Sequence, residues 1–206
     1  MSTQHPHFYQ NAKFIKSAVE FDQLPSDHGA EVAFIGRSNA GKSSALNTIT
    51  GIKGLARVSK TPGRTQAMNL FGLSQTQRLV DLPGYGYAKV PRTVQQRWEA
   101  TVHHYLENRE CLKGLILIMD IRHPLQEMDK SMLDWTESAE LPVHVLLTKA
   151  DKLSKSVARN ILNDMTKILK KEYTHVSVQL FSSFESIGLK DAINLLNAWF
   201  SKPQTV

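Results

Sequence analysis

Eight consecutive residues constrain this chain more than any other feature: Gly36-Arg37-Ser38-Asn39-Ala40-Gly41-Lys42-Ser43, a G-x-x-x-x-G-K-S run. An apolar, strand-like segment precedes it, Glu31-Val32-Ala33-Phe34-Ile35, and a helix-like run from Ser43 to Ile49 follows. A strand that hands a glycine-containing turn to a helix start aims free backbone amides at an anion. Gly36 and Gly41 let the backbone come close to phosphate oxygens. Lys42 then reaches the β- and γ-phosphates of a nucleoside triphosphate, and the Ser43 hydroxyl ligates magnesium. A plain glycine-rich turn is the competing reading, but a chance match of the whole pattern in a chain this long is about 1%.

Around this turn, short apolar runs alternate with amphipathic ones. Strand candidates are 31–35, 67–73, 77–82, 114–120, 143–148 and 176–181. Helical spacing links Val94, Trp98, Val102, Tyr105 and Leu106, then Val157, Ile161, Met165, Ile168 and Leu169, then Leu189, Ile193, Leu196 and Phe200. The alternation predicts an α/β fold of three layers: a mostly parallel six-stranded sheet with helices on both faces. Only three residues separate 67–73 from 77–82, so these form a hairpin that supplies one antiparallel edge strand. Residues 1–30 show no clear period and read as a partly ordered N-terminal extension. Residues 31–206 read as one nucleotide-binding domain. The histidines at 5, 7 and 28 fit a solvated tail better than a metal site.

Bulk properties narrow the partners. A net charge of +6 and a pI near 9.4 favour a polyanion such as RNA or an acidic membrane surface. The single cysteine, Cys111, excludes an internal disulfide and fits a reducing compartment. No apolar run is long enough to span a bilayer, and Met1 to Gln10 lacks the apolar core of a signal peptide. The expected location is cytoplasmic.

Three further motifs follow in a fixed order. Asp81-Leu82-Pro83-Gly84 ends a strand, where Asp81 holds magnesium through water and the Gly84 amide touches a γ-phosphate. Thr148-Lys149-Ala150-Asp151 ends another. The Asp151 carboxylate is acceptor-only and matches the N1–H and N2–H₂ donors of guanine; adenine leaves it unpaired. Phe181-Ser182-Ser183 ends the last strand and offers amides to the guanine O6. Between the phosphate loop and Asp81 lies a polar loop, residues 59–66, in which Thr65 rather than Thr61 completes magnesium coordination when a γ-phosphate is present. The expected nucleotide contacts are Gly36, Arg37, Ser38, Asn39, Ala40, Gly41, Lys42, Ser43 and Ser44, then Gly63, Arg64, Thr65, Gln66 and Ala67, then the three motifs above. Lys42, Thr65 and Gly84 are the expected catalytic set. Residues 84–89 form a second switch.

These motifs together resemble the EngB (YihA/YsxC) family of bacterial translation-factor-type GTPases, over nearly the whole chain. The most specific part is Asp81-Leu82-Pro83-Gly84-Tyr85-Gly86-Tyr87-Ala88. The resemblance implies a Ras-like G domain that binds GTP and GDP with Mg²⁺ and assists assembly of the large (50S) ribosomal subunit. It implies a consequent part in cell division and septation. The partner is then that subunit or its precursor, with no membrane and a monomeric chain. Two departures bear on mechanism. Threonine stands at 148 where the wider GTPase pattern has asparagine, which predicts weaker bridging to the phosphate loop and moderate affinity. Tyr85 stands where Ras-like enzymes carry a water-orienting glutamine, which predicts slow hydrolysis. Asn39 has two open readings: a potassium ligand beside the β/γ-phosphates, as in related GTPases, or a stabiliser of the loop turn.

Overall fold

A computed structural model describes residues 6–56, 67–86 and 91–201. Its central element is the strand Ala30–Gly36. In chain order the strands are β1 (Lys13–Ala18), β2 (Ala30–Gly36), β3 (Met68–Gly72), β4 (Gln77–Asp81), β5 (Leu112–Asp120), β6 (Val143–Thr148) and β7 (Val176–Leu180). The helices are α1 (Lys42–Thr50), α2 (Arg92–Asn108), α3 (Glu127–Ser138), α4 (Lys155–Glu172) and α5 (Leu189–Phe200). The sheet order is β1-β3-β4-β2-β5-β6-β7. The pairings β4·β2, β2·β5, β5·β6 and β6·β7 are parallel.

Period-two alternation within the near-continuous apolar strands feeds two separate cores. Ala33 and Ile35 of β2, with Leu115 and Leu117 of β5, pack on one face against Val102 and Tyr105 of α2, Met132 and Leu133 of α3, and Met165 and Leu169 of α4. Val32 and Phe34, with Ile116 and Ile118, pack on the other against Leu46 and Ile49 of α1 and Leu196 and Phe200 of α5. Strands buried on both faces need no polar alternation, which is why these runs read as continuous apolar sequence.

The sheet corrects the expected strand count. Among the described residues it has seven strands, not six, and the reversed strand β3 is not an edge. Segment 13–18 pairs antiparallel with β3 and covers it. The register of β1 slips between Phe14 and Lys16, and such a bulge breaks the alternation that marks a strand in sequence. Ahead of it, a short 3-10 helix, Pro6–Asn11, buries Tyr9, whose hydroxyl donates to Asn197 at 2.7 Å. Helix α3 also had no counterpart among the expected helices.

Candidate functional site

The carboxyl ends of β2, β4, β5, β6 and β7 form one edge of the sheet, the place where open parallel sheets bind ligands. Gly36 ends β2 because nothing larger fits: an added Cβ would stand 2.5 Å from the Ile118 carbonyl oxygen. The turn that follows needs two left-handed residues, and Asn39 (φ 63°) and Gly41 (φ 106°) supply them. Asparagine and glycine are the residue types that tolerate this geometry. Gly41 then caps α1, so that Lys42, Ser43 and Ser44 form its first turn.

The segment after β4 is clipped to the base of this loop. The Leu82 amide donates to Phe34, the Tyr85 amide to Gly36, and the Ser38 amide to Tyr85. Asp81 forms an ion pair with Lys42, and both side chains are largely buried. Two motifs 39 residues apart in sequence therefore share one charge pair. The Pro83 carbonyl accepts the Trp98 indole N–H at 2.9 Å, which fixes the turn leading to Gly84.

From the other side, the residues at the end of β6 reach the same loop. The buried Thr148 hydroxyl donates to the Ala40 carbonyl and lies 3.0 Å from that of Met119. Threonine thus does make the bridge that its replacement of asparagine was expected to weaken, with one hydroxyl proton. Lys149 adopts a left-handed backbone (φ 59°), and its ammonium donates to the Asn39 carbonyl at 2.6 Å and pairs with Asp120 at 2.8 Å. Burial works to raise the Asp120 pKa, but hydrogen bonds from Arg122 and Lys149 outweigh it and hold the carboxyl well below the usual range.

Asp151 is positioned by the loop after β7. The fully buried Ser182 donates its hydroxyl to Asp151 Oδ1 at 2.6 Å, and this bond lowers the Asp151 pKa. The Ala150 amide donates to the Phe181 carbonyl at 3.2 Å and joins the two segments. Of the three amides expected to face a guanine O6, Phe181 donates to Leu147 and Ser182 to Ile187. Only the Ser183 amide is uncommitted among the described residues.

Tyr85 turns its side chain into the core. It is 3% exposed, packs 5.8 Å from the Trp98 ring and donates its hydroxyl to Asp129 at the start of α3. Asp120, Asp129 and Ser182 as the partner of Asp151 were all missed by sequence reading. Their contacts join residues far apart in the chain, and no local pattern marks them. Gly63, Arg64, Thr65, Gln66 and residues 87–89 of the second switch lie outside the described residues, whereas Ala67 stands just before β3.

The family profile described as "50S ribosome-binding GTPase" matches residues 31–149. A curated protein of Coxiella burnetii (strain RSA 331 / Henzerling II), "Probable GTP-binding protein EngB", is 59% identical over 192 residues, 93% of this chain and 94% of its own length. The chain belongs to the EngB family of GTP-binding proteins. It is a GTPase. A second EngB relative, from Hydrogenovibrio crunogenus, is 52% identical over 98% of this chain and 95% of its own. A crystal structure of a probable EngB protein superposes with a TM-score of 0.67 at 20% identity, covering 83% of this chain and 98% of that one. Era in complex with MgGDPNP and a segment of 16S ribosomal RNA superposes at 0.63 and 20% identity, over 87% of this chain and 59% of that one. At these identities the structures speak for the fold: the three-layer P-loop GTPase architecture expected from sequence.

Proposed function

We propose that this protein is a GTP-driven switch that binds a precursor of the large (50S) ribosomal subunit in its GTP state and assists assembly. Normal division and septation then depend on it through ribosome supply. The observation that carries the reading is the joining of two half-sites at one sheet edge. The phosphate loop is tied by Thr148 and Lys149 to the strand end that presents Asp151. A triphosphate on the loop extends its base toward that carboxylate, which pairs with guanine and leaves adenine unmatched.

The residues suit magnesium. No cluster of three or more His, Cys, Asp or Glu exists among the described residues. Ser43 and Asp81 supply oxygen donors of the type a hard cation takes, and magnesium commonly fills its remaining positions with nucleotide phosphate and water. When bound it neutralises charge at the phosphates. Ser43 and Thr65 would hold the ion directly and Asp81 would hold it through water.

Hydrolysis is attack of water on the γ-phosphorus with cleavage of its bond to the β–γ bridging oxygen, so that GDP leaves and inorganic phosphate forms. Lys42 supplies positive charge to the γ-phosphate, and the Gly84 amide donates to it. Nothing at position 85 orients the water, because Tyr85 is buried against Asp129. Intrinsic turnover is therefore slow, and contact with the ribosomal subunit raises it. Asn39 keeps its two readings: it would hold a potassium ion beside the β/γ-phosphates, or it stabilises the loop turn. The basic charge of the chain and the ribosome-binding description of its family profile favour an RNA-containing partner over a membrane. No helix among the described residues is long and apolar enough to cross one. We place the protein in the cytoplasm as a monomer.

Co-sedimentation with ribosomal subunits under GDP, GTP and a non-hydrolysable analogue tests this. The expected result is retention on the large subunit with the analogue and release with GDP. Equal retention in all three states would defeat the switch.

A further inference from the structure

Phe184 is the most exposed large apolar side chain among the described residues, at 86%. Single exposed apolar residues are ordinary on protein surfaces, so exposure by itself decides nothing. Its position decides more. The Ser182 hydroxyl that donates to Asp151 also accepts the backbone N–H groups of Phe184, at 3.2 Å, and Glu185, at 3.1 Å. One buried hydroxyl thus sets both the carboxylate and the turn that carries the ring. Lys152 links the two again: its ammonium lies 3.1 Å from Asp151 Oδ2 and 5.7 Å from the Phe184 ring centroid. The ring therefore sits on a fixed turn, beside the group assigned to the edge of the base.

We propose that the Phe184 ring stacks on the face of the nucleobase whose edge Asp151 reads. This rests on the guanine reading of Asp151 given above. A purine presents two faces. The Lys149 stem, drawn across to Asn39 and Asp120, serves one, and an aromatic ring on the neighbouring turn serves the other. Aromatic stacking on a base is strong and indifferent to the pattern on the base's edge. It adds affinity without choosing between guanine and xanthine. The contact of Lys152 with the ring is weak at an exposed site, so the ring exchanges it for a base at little cost.

The test is equilibrium binding of GDP and XDP to the wild-type chain and to Phe184→Ala, Phe184→Tyr and Asp151→Asn. Phe184→Ala is expected to bind GDP about tenfold more weakly, with its GDP-to-XDP preference and thermal midpoint unchanged. Phe184→Tyr keeps the ring and the affinity. Asp151→Asn shifts preference toward XDP. Unchanged GDP affinity in Phe184→Ala, alongside a shifted Asp151→Asn, overturns the stacking and leaves the guanine reading intact. An unshifted Asp151→Asn overturns that reading and the stacking with it. Loss of ribosomal co-sedimentation by Phe184→Ala at unchanged GDP affinity makes the ring a partner contact and likewise overturns the proposal.

Discussion

The Tyr85 hydroxyl donates a hydrogen bond to the Asp129 carboxylate, tying the residue after Asp81-Leu82-Pro83-Gly84 to the first turn of α3. The same carboxylate accepts the Gln126 amide at 2.8 Å and so caps α3. Burial pushes the Tyr85 phenol well above its usual range, so the phenol stays protonated and can donate; burial also raises the Asp129 carboxyl.

Tyr85→Phe removes this donor from a buried acceptor and is expected to cost about 1–3 kcal/mol of stability, read as a lower urea midpoint. Single-turnover GTP hydrolysis, measured where both proteins are folded, is expected to stay at the wild-type rate, since the phenol is buried and committed to Asp129. A large loss of rate would place Tyr85 in the chemistry.

Thr148→Val deletes the hydroxyl that reaches Ala40 and Met119 while keeping shape. About 1 kcal/mol for one lost hydrogen bond predicts roughly fivefold weaker GDP binding, seen by displacement of a fluorescent GDP analogue. Thr148→Ser, which keeps the hydroxyl, is expected to bind close to wild type.

Asn39 lies where its two readings separate cleanly. Its φ of 63° suits glycine without strain, so Asn39→Gly keeps the turn and removes only the carboxamide. Turnover in potassium chloride above that in sodium chloride for wild type, lost in Asn39→Gly with GDP affinity retained, is the outcome expected of a potassium ligand. Equal rates in both salts for wild type leave Asn39 as a turn residue.

His144 gives a pH dependence. It is buried between Ser177 and Gln179. Because Gln179 Nε2 donates to Gly188 at 2.7 Å, its Oε1 accepts from His144 Nε2–H, and His144 Nδ1 accepts the Ser177 hydroxyl. Burial holds the imidazole below its ordinary 6.5. Below pH 6.5 the unfolded chain takes up a proton that the native chain refuses, so stability falls as pH drops from 7 through 6.5 toward the depressed native value. Urea midpoints between pH 7.5 and 5 are expected to show this slope, and His144→Asn is expected to lack that part of it.

Much of the fold could be read from sequence where burial imposes a period. Strands β5 and β6 are apolar runs because both their faces are covered, and α2, α4 and α5 carry clear helical spacing. The hidden parts lack such a signal. Lys13-Phe14-Ile15-Lys16 forms an edge with a bulge, so its polar and apolar residues do not alternate. The site was readable as an ordered series of strand-end motifs, because each is local. What joins them is not local: Lys42 to Asp81, Thr148 to Ala40, Tyr85 to Asp129 and Ser182 to Asp151 are contacts that only the folded sheet edge creates.

The central claim is that Asp151 reads guanine on a phosphate loop belonging to the same site. Competition between GTP and XTP for wild type and Asp151→Asn tests it most directly. The account predicts strong GTP preference in the wild type and a reversal toward XTP in the variant, whose amide meets the xanthine carbonyl as acceptor. The same GTP-to-XTP ratio in both proteins would contradict it.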